Sequence, residues 1–200
     1  DRDLSGRGMP AFLASVAAKV PTSVRLQLHN EQNDPGRTWT PRLRGGSQGE
    51  WGEDYARLYA RTREALDARG LKHSLVVGGL VGDPRPFLRG MRRAGITPPI
   101  VACHCYGRPV RVQVAERADQ VRDVFPGARV WYTEVGSEVG MRDDAGQARD
   151  LAEAVEAAHA ARVERLYWYR LNGPERGFEL IRANGRPRPA WRRWQELSGR

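Results

Sequence analysis

The sequence predicts an α/β fold, a parallel sheet whose strands each lead into a helix. Three observations predict it. Short apolar runs alternate with amphipathic segments along nearly the whole 200-residue chain, the pattern of βα units rather than of a sandwich or a bundle. No glycine-rich phosphate loop follows the first strand, which removes the main support for a dinucleotide-binding sheet. The polar residues that end the apolar runs fall at the carboxyl ends of the strands, where βα loops gather reacting groups. Right-handed crossovers leave two architectures, an open doubly wound sheet or a closed barrel.

The elements follow in order. A helix over residues 10–19 precedes a first strand at 24–28 (VRLQL), which ends at His29-Asn30-Glu31. Residues 32–53 contain Gly45-Gly46 and two tryptophans and read as a long loop, too rich in glycine and proline for a helix. Loops of that length inside a compact domain are usually functional. Tyr55, Leu58, Tyr59, Thr62 and Leu66 recur near helical spacing over 54–69, and Gly70 stops that helix. A strand at 74–77 runs into Gly78-Gly79, and a helix over 84–94 takes Pro84 into its first turn. Then come a strand at 100–104, a helix over 116–124, and a strand at 128–133 (ARVWYT) ending at Glu134. A helix over 145–161 has Asp143 or Asp144 as N-cap. A strand at 165–169 (RLYWY) and a helix over 191–197 close the series. One domain over residues 1–200 accounts for all of it.

Composition narrows the function. The formal charge is +9, from 33 Lys and Arg against 24 Asp and Glu. All but Lys19 and Lys72 of these cations are arginines, scattered rather than gathered into a stripe, and no nucleic-acid-binding motif accompanies them. A nucleic-acid partner is therefore not expected. No stretch is long and apolar enough for a bilayer, so no membrane partner is expected either. Cys103 and Cys105, two apart on a strand, share a face and imply no disulfide framework. His104 between them turns the other way, so the three are not expected to share a metal.

The strand ends carry the chemistry. They read Asn30-Glu31, His104 to Tyr106, Glu134 and Trp168. Two carboxylates, a histidine, an amide and aromatics suffice to cleave a glycosidic bond: one carboxyl protonates the leaving oxygen, the other attacks the anomeric carbon or activates water. Three βα units separate Glu31 from Glu134. In a closed barrel that spacing sets them nearly across the mouth from each other, whereas in a flat sheet it holds them too far apart to cooperate.

These motifs resemble a family. LQLHNEQN (residues 26–33) resembles the Asn-Glu-Pro-Asn element of clan A glycoside hydrolases, HCYG (104–107) their strand-six His-x-Tyr, TEVG (133–136) the strand-seven nucleophile element, and YWYRLNG (167–173) strand eight. The tail GFELIRANGRPRPAWRRW is similar to the end of these barrels. All five occur in the family's order, and the family 39 xylosidase and iduronidase group is loosely the nearest. The resemblance implies a (β/α)8 TIM barrel of which this chain holds strands four to eight, lacking the first three βα units: either the chain is a fragment, or further polypeptide completes the barrel, or the barrel has degenerated. It also implies a retaining glycosidase acting on a poly- or oligosaccharide without metal or organic cofactor. Glu31 would be the acid/base and Glu134 the nucleophile, held ionised by hydrogen bonds such as one from Tyr106. Asn30 would bond the sugar 2-hydroxyl, His104 would orient substrate or nucleophile, and Trp168 would floor the sugar site.

Two departures stand out. Gln32 replaces the family's proline, and the missing strands open a second reading, a non-catalytic carbohydrate-binding or structural module derived from a glycosidase barrel. Trp39 and Trp51 either line outer subsites or pin the long loop. His29 reads as packing, Glu50, Glu53 and Asp54 as helix-start charges, and Trp191 and Trp194 as anchors of the last helix. The arginine excess is compatible with uronic or sulfated sugars.

Overall fold

A computed structural model describes residues 8–37, 46–107, 109–139, 143–173 and 177–198. Among them α1 (Gly8–Ala17), β1 (Leu26–Leu28), a 3-10 turn (Pro35–Arg37), α2 (Gln48–Asp67), β2 (Leu75–Leu80) and α3 (Arg85–Arg93) are followed by β3 (Ile100–Tyr106), α4 (Val110–Val124), β4 (Arg129–Gly136), α5 (Asp144–Ala160), β5 (Arg165–Trp168) and α6 (Pro189–Ser198). The strands pair in chain order, as alternating βα units require. The chain divides into two compact units, Asp1–Ala102 with Gln120–Arg129, and Cys103–Asp119 with Val130–Arg200.

In the first unit β1 lies parallel to β2, Leu26 beside Leu75 and Leu28 beside Val77. Every residue of β2 is buried, so the strand reads as one apolar run rather than an alternation. The Tyr55 hydroxyl of α2 donates to the Leu28 carbonyl at 2.6 Å. Arg63 donates to the carbonyls of Leu71 and His73, both at 2.6 Å, tying the end of α2 to the entry of β2.

Helix α2 corrects the expected long loop. It begins at Gln48 because Ser47 and Glu50 form a capping box: the Ser47 amide donates to Glu50 Oε2 at 2.6 Å and the Glu50 amide to Ser47 Oγ at 3.3 Å, satisfying two otherwise orphaned donors. The early glycines that suggest a loop serve packing instead. A Cβ on Gly52 would lie 1.9 Å from the Phe87 carbonyl oxygen, and one on Gly90 would lie 2.0 Å from that of Gly49. Helices α2 and α3 thus meet backbone to backbone, and Trp51 belongs to the core of the unit, not to a loop.

In the second unit β4 lies parallel to β5, Tyr132 beside Leu166, with a register shift before Val135 beside Trp168. The Asp143 side chain caps α5, accepting from the Gly146 amide at 2.6 Å. Asp144 then accepts from Arg182, and from Arg188 at 2.6 Å, which holds the segment leading into α6 against the start of α5. Trp191 and Trp194 are half-buried on α6. Cys103 and Cys105 are free and buried; burial pushes the Cys103 thiol up to about 12 and Cys105 well above the usual thiol range.

Strands β3 and β4 run further than their apolar runs suggest, to Tyr106 and Gly136. The reading at the sequence level stops each at its first polar residues. Backbone pairing is indifferent to side-chain polarity, and the Tyr169 amide still bonds the Val135 carbonyl at 2.8 Å. Glu134 is therefore a strand residue, not one beyond the strand.

Candidate active site

Within the second unit, β3 and β4 bring three of the predicted site residues together. On β3, His104 and Tyr106 are two apart and so project from the same face. On β4, Glu134 receives the Tyr106 hydroxyl at 2.5 Å on Oε2, and His104 Nδ1 lies 3.4 Å from the same oxygen. The His104 side chain is fully buried, while a quarter of the Glu134 side chain remains exposed. Tyr106 and His104 thus hold the carboxylate while part of the Glu134 side chain remains exposed. A phenol donating to a carboxylate makes a short, strong bond that fixes the direction of the oxygen.

Aromatic rings hold Tyr106 in place. It meets the rings of Tyr169 and Phe178 edge to face, each at 5.8 Å between centroids, and that of His104 at 6.2 Å. Gly136 makes room for this cluster: a Cβ there would lie 2.9 Å from the Tyr106 ring, and 3.0 Å from both Phe178 and the Tyr169 carbonyl oxygen. Beyond it, buried Ser137 donates to buried Asp150, and Gln147 Nε2 donates to the carbonyls of Ser137 at 3.3 Å and Gly177 at 2.9 Å. The chain leaving Glu134 is thereby fixed to α5. Sequence reasoning misses Phe178, Ser137, Gln147 and Asp150 as supports. The available signal is the glycine two residues after Glu134, which asks for bulky neighbours.

Trp168 on β5 stands beside Val135, the residue after Glu134. It is 8 % exposed and its indole donates to the Phe178 carbonyl at 3.3 Å. That bond fixes the ring and ties the β5 tryptophan to the same aromatic group.

Within the first unit, β1 ends in an irregular turn that carries Glu31. His29 and Glu31 both take left-handed backbone angles, φ 64° and 52°, which non-glycine residues adopt rarely and mostly where surroundings enforce them. The enforcement is visible. The Glu31 amide donates to the Gly79 carbonyl at 3.1 Å. Asn33 Nδ2 donates to the Val81 carbonyl at 2.6 Å, and its Oδ1 accepts from the Val81 amide at 3.0 Å. Gly78 lets the turn close down, since a Cβ there would sit 2.4 Å from the His29 carbonyl oxygen. Glu31 is buried, Asn30 exposed with its Oδ1 accepting from Gln27 at 3.4 Å, and burial lowers the pKa of His29. Trp39 lies outside the described residues.

No protein-family model matches the sequence, and no curated protein matches it. Solved structures do resemble it. A family 39 β-xylosidase from Caulobacter crescentus superposes with a TM-score of 0.71 at 19 % identity, over 96 % of this chain and 46 % of its own. A family 128 endo-β-1,3-glucanase from Sorangium cellulosum gives 0.69 at 18 %, over 95 % and 76 %. A family 5 protein from Bifidobacterium longum subsp. infantis gives 0.68 at 18 %, over 96 % and 51 %. The fold is that of the TIM-barrel glycosidases, in its five-stranded parallel part, and the chain spans about half the length of the xylosidase.

Proposed function

We propose that this chain carries the catalytic carboxylates of a retaining glycoside hydrolase. One observation carries the reading above all: Glu134, on the strand that the resemblance equates with the nucleophile strand, accepts a 2.5 Å hydrogen bond from Tyr106 while a quarter of its side chain stays exposed. A carboxylate held and aimed by a strong hydrogen bond is what a glycosyl nucleophile needs. The glycosidase fold of the neighbouring structures supports it further.

In the first step a Glu134 oxygen bonds to the anomeric carbon as the glycosidic C–O bond breaks, and the Glu31 proton passes to the leaving oxygen. In the second, water attacks the anomeric carbon, gives its proton to Glu31 and releases Glu134. This chemistry requires the two carboxyl groups about 5–5.5 Å apart. Asn30 is assigned to the 2-hydroxyl, His104 to orienting Glu134 or the sugar, and Trp168 with Trp39 to apolar sugar faces. Completion of the barrel by further polypeptide belongs to the same proposal.

The test is chemical rescue. Glu134→Ala should abolish hydrolysis of an activated aryl glycoside, and azide should restore turnover with inverted configuration in the glycosyl azide. Undiminished hydrolysis by this variant would sink the assignment. The competing reading, a carbohydrate-binding module derived from a glycosidase, is favoured instead if purified protein binds oligosaccharide and never turns it over.

A further inference from the structure

Tyr106, whose hydroxyl holds Glu134, is itself held by two rings from the chain after β5, those of Tyr169 and Phe178. The two rings also meet each other, at 5.9 Å between centroids, so the three close a triangle. Neither Tyr169 nor Phe178 lies in a helix or strand. Backbone bonds lay their stretches side by side, from the Leu180 amide to the Arg170 carbonyl at 2.9 Å and from the Ile181 amide to the Leu171 carbonyl at 2.8 Å. The bond next to the rings, from the Arg170 amide to the Phe178 carbonyl, is long at 3.4 Å.

At that point a side-chain link takes over. Arg170 follows Tyr169, Glu179 follows Phe178, and Arg170 Nη2 donates to Glu179 Oε1 at 2.8 Å. The Gly177 amide donates to the other carboxylate oxygen at 2.9 Å. The Glu179 side chain is fully buried, and that of Arg170 is 24 % exposed. The guanidinium carbon lies 5.4 Å from the centre of the Tyr169 ring. Gly173 leaves the guanidinium its place, since a Cβ there would sit 2.6 Å from Arg170 Cζ. A buried ion pair is weak evidence for stability, because desolvation offsets much of the attraction and apolar residues of similar volume often replace both partners without loss. What a buried carboxylate imposes is arrangement, since other placements leave its charge unmatched. The alignment that satisfies Glu179 is the one that sets both rings against Tyr106.

We propose that Arg170 and Glu179 are positioning residues for Glu134: their ion pair sets Tyr169 against Phe178, the two rings hold Tyr106, and Tyr106 aims the carboxylate. The role of Glu134 as nucleophile rests on the glycosidase reading above. The path from Glu179 to the Glu134 carboxylate stands without it, through side-chain contacts alone.

The experiment labels the six tyrosines of the whole chain with carbon-13 at Cζ, and identifies Tyr106 by the signal lost in Tyr106→Phe. The double variant Arg170→Met with Glu179→Leu exchanges the pair for apolar side chains of similar size. Its melting temperature should stay close to the native value, while the Tyr106 signal moves and those of Tyr55 and Tyr59 do not. On an aryl glycoside its kcat should fall roughly ten- to hundredfold, the scale of a small misplacement at the reacting atoms, with KM nearly unchanged. Arg170→Lys, which keeps a charged donor for Glu179, should leave the Tyr106 signal and kcat near native. Glu179→Gln, which keeps the shape and removes the charge, is read in the same way as the double variant if that one folds poorly. An unmoved Tyr106 signal in a folded variant, a rise in KM with kcat unchanged, or Arg170→Lys behaving like the double variant would each overturn the proposal. A native chain without turnover whose Tyr106 signal still follows the pair removes only the catalytic reading. Turnover with the Tyr106 signal and kcat both indifferent to the pair removes only this inference.

Discussion

Glu134 and Glu31 are held by opposite means. Glu134 sits in a regular strand with ordinary backbone, and side chains fix it: Tyr106 and His104 at the carboxylate, Tyr169 and Phe178 behind Tyr106. Glu31 sits on a turn where the backbone itself is bent into left-handed angles and locked by Asn33 and the Gly79 carbonyl. The difference is compatible with the two tasks proposed for them. A nucleophile must be held in place, and Tyr106 and His104 hold Glu134. In the proposed reaction Glu31 exchanges its proton and takes up a second role within one cycle, and its place in the chain is set through its main chain.

The comparison can be broken in several ways. Glu134→Gln should have the largest effect, lowering kcat/KM at least about a thousandfold, since the proposed nucleophile is lost; steady-state kinetics on an aryl glycoside checks this. Tyr106→Phe removes the donor and leaves the ring, so kcat/KM should fall roughly ten- to hundredfold, the scale of a hydrogen bond to a charged group. Its melting temperature should shift little, because the aromatic packing is retained. At the other acid, Glu31→Gly should be the more stable of a pair with Glu31→Ala by about 1 kcal/mol, as only glycine accepts φ 52° freely. Denaturant unfolding measures that, and equal stabilities would remove the contrast.

The smallest effect is a pH dependence. Burial lowers the pKa of His29 from 6.5, so the unfolded chain binds more protons than the folded one below that pH. The stability this group contributes is fully present above about 6.5 and is lost as pH falls through the folded value. His29→Asn, which tolerates left-handed backbone, should flatten the acid limb of the stability curve. An unchanged slope would show that the turn around Glu31 does not keep His29 neutral.

Much of this was legible in the residues. All five strands and the helices after them follow from apolar runs and helical spacing, because burial writes those patterns directly. His104, Tyr106 and Glu134 stand out as polar residues ending apolar runs, and the resemblance to clan A glycosidases implies the bond from Tyr106 to Glu134. What escaped depends on contacts distant in sequence. The glycine and proline content of residues 32–53 reads as a loop until Gly49 and Gly52 are seen against Gly90 and Phe87. Ser47 and Glu50 write a legible capping box, overlooked beside those glycines. The polar support of Ser137 by Gln147 and Asp150 has no periodicity to show it, and the bend at His29 and Glu31 has no glycine or proline of its own, since the neighbouring Gly78 and Asn33 impose it.

Cys103 and Cys105 supply the molecule with an internal clock. Thiolates are the reactive species, and with thiols sealed from water and the Cys103 pKa near 12, native protein at neutral pH offers almost none to an alkylating reagent. Labelling must then wait for the packing around β3 to come apart. Its rate, followed by mass, times spontaneous opening of the strand that also carries His104 and Tyr106, with no dye or mutation required.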